Sequence, residues 1–157
     1  MAIAPNTNPF VSGSILTAAQ MTALPMGIYS FVERTTPLNG TTTEAVVLTL
    51  PSFTAVANRY YRVTGFLPYV EVQGGSTTSL QFRIRKGTTT AGTQLQLSYG
   101  YAAATAQDDK FFFIQWVGTL TAGAQQMVLT FQAGSASDVV ASAVAVPQFV
   151  IEDIGGA

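Results

Sequence analysis

The sequence predicts an all-β fold, an eight-stranded antiparallel jelly roll or β-sandwich preceded by an extended N-terminal arm and one short helix. Three observations carry this expectation. From Ile28 onward apolar and polar residues alternate with period two, the alternating segments are rich in β-branched and aromatic residues, and Gly, Thr, Ser and Asn clusters separate them. No helical stretch intervenes, which favours strands packed on strands over a helix-covered sheet. The chain of 157 residues, 48% of them hydrophobic, is long enough for one domain with a sizeable core. The expected organisation is an arm and helix over residues 1–27 and a β-sandwich over residues 28–157.

The arm, Met1 to Gly13, holds Pro5, Pro9, Asn6 and Asn8 and no periodic apolar pattern, so it is extended and docks on something else. Thr17 followed three residues later by Gln20 has the form of a capping box and opens a helix over Ala18 to Leu24. Pro25 and Gly27 end it after about two turns, too short to stand alone. Its apolar side, Leu16, Ala19, Ala23 and Leu24, must therefore pack on the remainder.

Eight strands follow, over Ile28–Arg34, Thr43–Leu50, Arg59–Val72, Ser79–Lys86, Thr93–Tyr101, Lys110–Val117, Gln125–Ala133 and Pro147–Ile154. The third should bend at Pro68, which lacks a backbone donor. Leu80, Phe82 and Ile84 alternate with Gln81, Arg83 and Arg85, and Leu95, Leu97 and Tyr99 alternate with Gln94, Gln96 and Ser98. The two segments should be neighbours, joined as a hairpin by Gly-Thr-Thr-Thr-Ala-Gly. Gln-Gly-Gly-Ser and Thr-Ala-Gly-Ala suggest similar turns after the third and sixth strands. The sixth strand breaks the in-out rule. Phe112, Ile114 and Trp116 load one face, while Phe111, Phe113 and Val117 load the other. One face is core. The second must be covered by a loop of the same chain or by a second subunit, and Phe111, Phe113 and Val117 are the expected oligomer interface.

Composition excludes much chemistry. With no Cys and no His there are no disulfides, no Cys or His zinc sites, no Cys nucleophile and no imidazole-dependent triad. Net charge is −1 and only 10% of residues are charged, against about 25% in an ordinary globular chain, so no charge excess draws the chain to nucleic acid or membrane. The longest uncharged apolar runs, Val139–Pro147 and Phe111–Val117, are far short of about 18 residues, and the N-terminus lacks the basic and apolar regions of a secretory signal. The chain is expected to be used as synthesised.

Of the eight acids, Asp108-Asp109 and Glu152-Asp153 are adjacent pairs. Strand neighbours point to opposite faces, so Glu152 and Asp153 make a poor acid and base pair. Asp108 and Asp109 read as turn acids in the loop before the sixth strand. Asp108, Asp109 and Asp138 offer oxygen donors for calcium without the spacing of a calcium loop. Neither catalytic nor cofactor nor metal residues are expected. Arg59, Arg62, Arg83, Arg85 and Lys86 are the only concentration of cations, able to meet phosphate or a partner's carboxylates, or simply to line the polar face of strands.

Three segments resemble virion structural proteins of tailed bacteriophages, particularly those infecting actinobacteria. The first is residues 8–27, with Phe10, Gly13 and Leu16-Thr17-Ala18-Ala19-Gln20, where Thr22 stands at a position often occupied by Asn. The second is Phe82-Arg-Ile-Arg-Lys-Gly-Thr-Thr-Thr-Ala-Gly-Thr-Gln-Leu95, and the third Phe149-Val-Ile-Glu-Asp-Ile-Gly155. The resemblance implies a non-enzymatic homotrimeric β-sandwich on the particle surface, either a capsid decoration or minor capsid protein or a tail-tip or fibre component. Its partners would be copies of itself and the major capsid protein or another virion protein, with a host receptor or glycan added at a tail location. A chain with room for one arm and one β domain suits the head better than the tail. Pro5, Pro9, Phe10, Ile15, Leu16 and Met21 are then the expected anchor, the prolines lowering the entropy lost when the arm is ordered.

Overall fold

A computed structural model of the chain describes residues 24–39, 42–73, 78–102, 107–135, 137–139 and 141–157, together with Ala18 and Met21. Ala18 and Met21 have helical backbone, and the Leu24 amide donates to the Met21 carbonyl at 3.2 Å. Leu24, the expected last helical residue, is a bend instead, because Pro25 disfavours helical geometry before it; the rest of the expected helix and the arm lie outside the described residues.

Eleven strands run through the described residues: β1 (Gly27–Glu33), β2 (Ala45–Thr49), β3 (Phe53–Ala55), β4 (Arg59–Gln73), β5 (Thr78–Lys86), β6 (Thr93–Ala102), β7 (Gln107–Thr119), β8 (Gly123–Gln125), β9 (Met127–Ala133), β10 (Ser137–Val139) and β11 (Gln148–Gly156). Eight of them are the strands expected from alternation. The other three, β3, β8 and β10, are three residues each and too short for alternation to announce.

Two main sheets form, ordered β1-β11-β4-β7 and β2-β9-β5-β6, with every pair antiparallel. β10 continues the first sheet beside the far end of β4, and β3 pairs β8 as a separate ribbon. Among the eight long strands only β5 and β6 are consecutive in one sheet; every other step crosses to the opposite sheet. This is jelly-roll winding, and it corrects the reading of Gln-Gly-Gly-Ser and Thr-Ala-Gly-Ala as hairpin turns, since β4 and β5, and β7 and β9, lie in different sheets. The Gly-Thr-Thr-Thr-Ala-Gly hairpin does join β5 to β6.

Where a bend was expected, Pro68 sits at an irregularity of the continuous strand β4. Its pairing with β7 shifts register between Leu67 and Val70, and its other edge changes partner from β11 to β10. A residue that cannot donate to the ladder belongs at such an irregularity.

The core lies between the sheets, built from Tyr61, Val63 and Leu67 of β4, Leu80, Phe82 and Ile84 of β5, Leu129 and Phe131 of β9, and Phe149 and Ile151 of β11. Each such side chain stabilises the fold by about 1.5–3 kcal/mol relative to exposure. Phe82 is the middle of an aromatic stack, 4.8 Å from Phe131 and 4.0 Å from Phe112 of the facing sheet. Gly65 permits the close approach of the sheets: a Cβ there would stand 2.9 Å from Leu129 Cδ1 and 3.0 Å from Ile114 Cγ2.

β6 departs from the expected facing. Its register pairs Leu97 with Arg83, Tyr99 with Gln81 and Tyr101 with Ser79, so these apolar side chains share the outward face of β5. Leu95 alone of the expected apolar set still packs on the core, and the pairing slips between Ile84 and Arg85. The physical reason is Phe112. Its ring lies over β6, where a Cβ on Gly100 would be 2.5 Å from Phe112 Cε1, and it fills the inward volume that β6 side chains would need.

Candidate functional site

The sixth expected strand is β7, and its double loading is real. Phe112, Ile114 and Trp116 pack inward, while Phe111, Phe113 and Val117 remain 72%, 55% and 42% exposed. Among the described residues no loop of the same chain covers them. Strand register extends the row beyond β7. Phe113 lies opposite Phe66, which follows Gln148 and Glu33 across the sheet; Gln115, Thr64, Val150 and Phe31 form the next row; Val117, Arg62, Glu152 and Ile28 form the third. Phe31, Phe66 and Ile28 are also exposed. These three were not singled out from sequence; alternation places Phe66 and Phe31 opposite the core residues, but Ile28 joins them only through the bulge between Ile28 and Ser30, which no period announces.

Two polar pairs cross the strands on this face. Arg62 Nε donates to Glu152 Oε2 at 2.8 Å, and the amide of Gln115 donates to the Thr64 hydroxyl at 3.4 Å. Glu152 and Asp153 point to opposite faces, as alternation requires. Asp153 is buried and receives both Nε and Nη2 of Arg59, the latter at 2.6 Å, while Arg59 Nη2 also donates to the Leu24 carbonyl at 2.5 Å. The hydrogen bond to Asp153 outweighs burial and holds the Arg59 pKa above its ordinary value. Asp153 Oδ1 further accepts the Gly155 amide at 2.9 Å, and Gly155 adopts φ +123°, a backbone conformation that disfavours a side chain.

The cations of β5 are likewise engaged. Arg85 binds Glu44 through two hydrogen bonds of 2.6 and 2.8 Å, Arg83 stands 3.4 Å from the same carboxylate, and Thr130 donates to it at 2.5 Å. Burial pushes the Glu44 carboxyl up, but the bonds from Arg85 and Thr130 and the charges of both arginines prevail and hold it below the carboxylate range. The four arginines of the expected cationic concentration are thus divided among three carboxylates on two sheets and are occupied by the chain's own acids.

Arg83 reaches two more groups. Its Nη1 donates to Gln132 Oε1 at 3.2 Å and its Nη2 to Gln81 Oε1. Register places Tyr99, Gln81 and Gln132 side by side on β6, β5 and β9, with Tyr101 beside Ser79 in the adjoining row. Tyr99 and Tyr101 are 60% and 70% exposed. Sequence alone set Tyr99 on one face with Leu95 and Leu97; only the register shows that this face turns outward at Tyr99.

Of the expected anchor, Pro5, Pro9, Phe10, Ile15 and Leu16 lie outside the described residues, and Met21 is exposed. Asp108 and Asp109 are not loop residues: β7 begins at Gln107 and pairs them with Val72 and Glu71. Asp138 lies in β10, also opposite Glu71, so register sets three acids, Asp109, Glu71 and Asp138, in one row across the sheet. No helix among the described residues is long and apolar enough to cross a membrane.

No family model matches the chain, and no curated protein is similar to it. Among solved structures, the chain is similar to the CBM22-1 xylan-binding domain of Paenibacillus barcinonensis Xyn10C, with 15% identity, a TM-score of 0.37 and coverage of 84% of this chain and 95% of that one. It is also similar to the infectious bursal disease virus VP2 subviral particle, with 9% identity, a TM-score of 0.29 and coverage of 84% of this chain and 42% of that one. Likenesses of this size do not bear on function.

Proposed function

We propose that the chain is a non-enzymatic structural subunit of a bacteriophage particle, a decoration or minor capsid protein of the head surface that assembles as a trimer and is anchored by residues 1–27. The observation that supports it most is the exposed apolar row on the outward face of β1, β11, β4 and β7. Soluble monomers rarely leave so many large apolar side chains bare on one face, and aromatic side chains with an arginine among them are enriched at protein interfaces. The three sequence segments supply the particle, and the jelly roll is a fold that viral capsid domains use. Fold alone does not decide function.

The alternative placement is a tail-tip or fibre component that binds a host receptor or glycan. It is favoured by one observation, the exposed tyrosines of β6.

Two measurements test the reading. Deleting Met1 to Leu24 should leave a trimer that no longer binds undecorated capsids; unchanged capsid occupancy would reject the anchor. Imaging of intact particles should find many copies on the head, and finding the protein only at the tail would replace the first placement by the second.

A further inference from the structure

We propose that the outward face of β6, β5 and β9 is a binding strip for a neutral polysaccharide, with Tyr99 and Tyr101 as its stacking platform and Gln81 and Gln132 as its hydrogen-bonding groups. The strip is on the opposite sheet from the apolar row and would operate at either location on a particle.

The argument starts from the strand period. Residues two apart on a strand share a face at about 6.7 Å, so Tyr99 and Tyr101 present two adjacent phenol rings on the scale of one sugar ring each. A tyrosine offers an apolar ring face and a polar tip. A pyranose offers the complement, a face of C–H groups and an edge of hydroxyls.

The hydroxyl edge needs donors and acceptors held in place. One strand over, Gln81 lies opposite Tyr99, and Gln132 lies opposite Gln81. Both carboxamide oxygens accept from the single guanidinium of Arg83, which fixes the two amides and turns their NH2 groups away from it. Arg83 is itself steadied by Glu44. Side chains fixed before binding lose less entropy on meeting a ligand.

Charge selects the class of ligand. Arg83 and Arg85 share one carboxylate, so the cluster keeps one net positive charge, far from the run of phosphate-neutralising cations that nucleic acid binding uses. A second copy of the chain is better served by the larger apolar row on the other sheet. A neutral ligand with ring faces and hydroxyls remains.

Electrophoresis of the full chain through gels containing hydroxyethylcellulose, arabinoxylan, mannan or dextran tests this, followed by calorimetry with the retained polymer. Retardation by at least one polymer is expected, with a Kd tighter than about 1 mM. Tyr99→Ala and Tyr101→Ala should each weaken binding about ten-fold or more, and Tyr99→Phe should keep most of it. Because both side chains are exposed, circular dichroism and melting temperature should not change. Phe113→Asp, on the other sheet, should leave the affinity per chain intact, so failure of the strip and failure of the trimer are separable. The proposal is overturned if none of the four polymers retards the protein, if retardation survives both alanine substitutions, or if oligothymidylate binds in preference through the same tyrosines.

Discussion

Arg59 and Asp153 form the most deeply buried ion pair among the described residues. Both side chains are nearly fully buried, and the pair ties β4 to β11 while the guanidinium also holds the Leu24 carbonyl at the exit of the N-terminal segment. Removing one partner leaves a buried charge unmatched, which costs about 3–5 kcal/mol, whereas an apolar pair of similar volume is often tolerated. Arg59→Met should therefore lower the unfolding free energy read from urea titration by that amount at fixed protein concentration, and Arg59→Met combined with Asp153→Leu should recover part of it. A double variant as unstable as the sum of the singles would mean no coupling between the two side chains and would refute the unmatched-charge account. Glu44 makes a second, pH-dependent contribution. Its carboxyl releases its proton more readily folded than unfolded, so the stabilisation is complete above the ordinary carboxylate pKa and fades as pH falls through the lower folded value. The stability difference between the wild-type chain and Glu44→Gln should be constant above about pH 5 and shrink toward pH 3. A difference that does not vary with pH would detach the effect from ionisation.

At the scale of the element, alternation found every long strand and Pro68 marked the irregularity of β4, because period two and a missing donor are local properties. Register is not local. The outward turn of Leu97, Tyr99 and Tyr101 arises from a slip at Arg85 and from the ring of Phe112, which crosses from the facing sheet onto Gly100. The order of strands escaped the sequence for the same reason: the short β3–β8 ribbon and the crossings around it depend on which sheet has room, not on the turn residues. Likewise the exposed Phe66 joined Phe113 only through strand pairing. Half of the candidate face, the part on β7, was legible because a strand apolar on both sides violates its own period. Gly65 shows the reverse, a residue with no sequence signal whose place is set by packing. A Cβ there meets Leu129 and Ile114 at 3.0 Å or less, so Gly65→Val should cost about 1–3 kcal/mol through overpacking. Thermal melting reads it directly, and an unchanged melting temperature would mean that the sheets can part at that point.

For the whole molecule the deciding question is what meets the face of β1, β11, β4 and β7. Two forces could hold copies together there, and they predict different behaviour. The Arg62–Glu152 pair is partly solvated, its side chains 43% and 26% exposed, and such pairs contribute about 0–1 kcal/mol. Each exposed phenylalanine, once covered, contributes about 1.5–3 kcal/mol, and Phe111, Phe113, Phe66 and Phe31 lie together on the face. Apolar burial should therefore dominate the association. It follows that the proposed trimer should persist when salt is raised well past the screening of surface charges, and that Glu152→Gln should change its dissociation little. Phe113→Asp is the opposite case. The carboxylate would sit on edge strand β7 among Phe111, Val117 and Phe66, desolvated against Phe66 in every copy, and its cost repeats three times per trimer. Sedimentation at tens of micromolar should show a trimer for the wild-type chain and for Glu152→Gln, and a folded monomer for Phe113→Asp with an unchanged circular dichroism spectrum. A wild-type chain that sediments as a monomer would refute the assembly outright. A trimer untouched by Phe113→Asp would move the interface to another surface and leave the apolar row to the capsid itself.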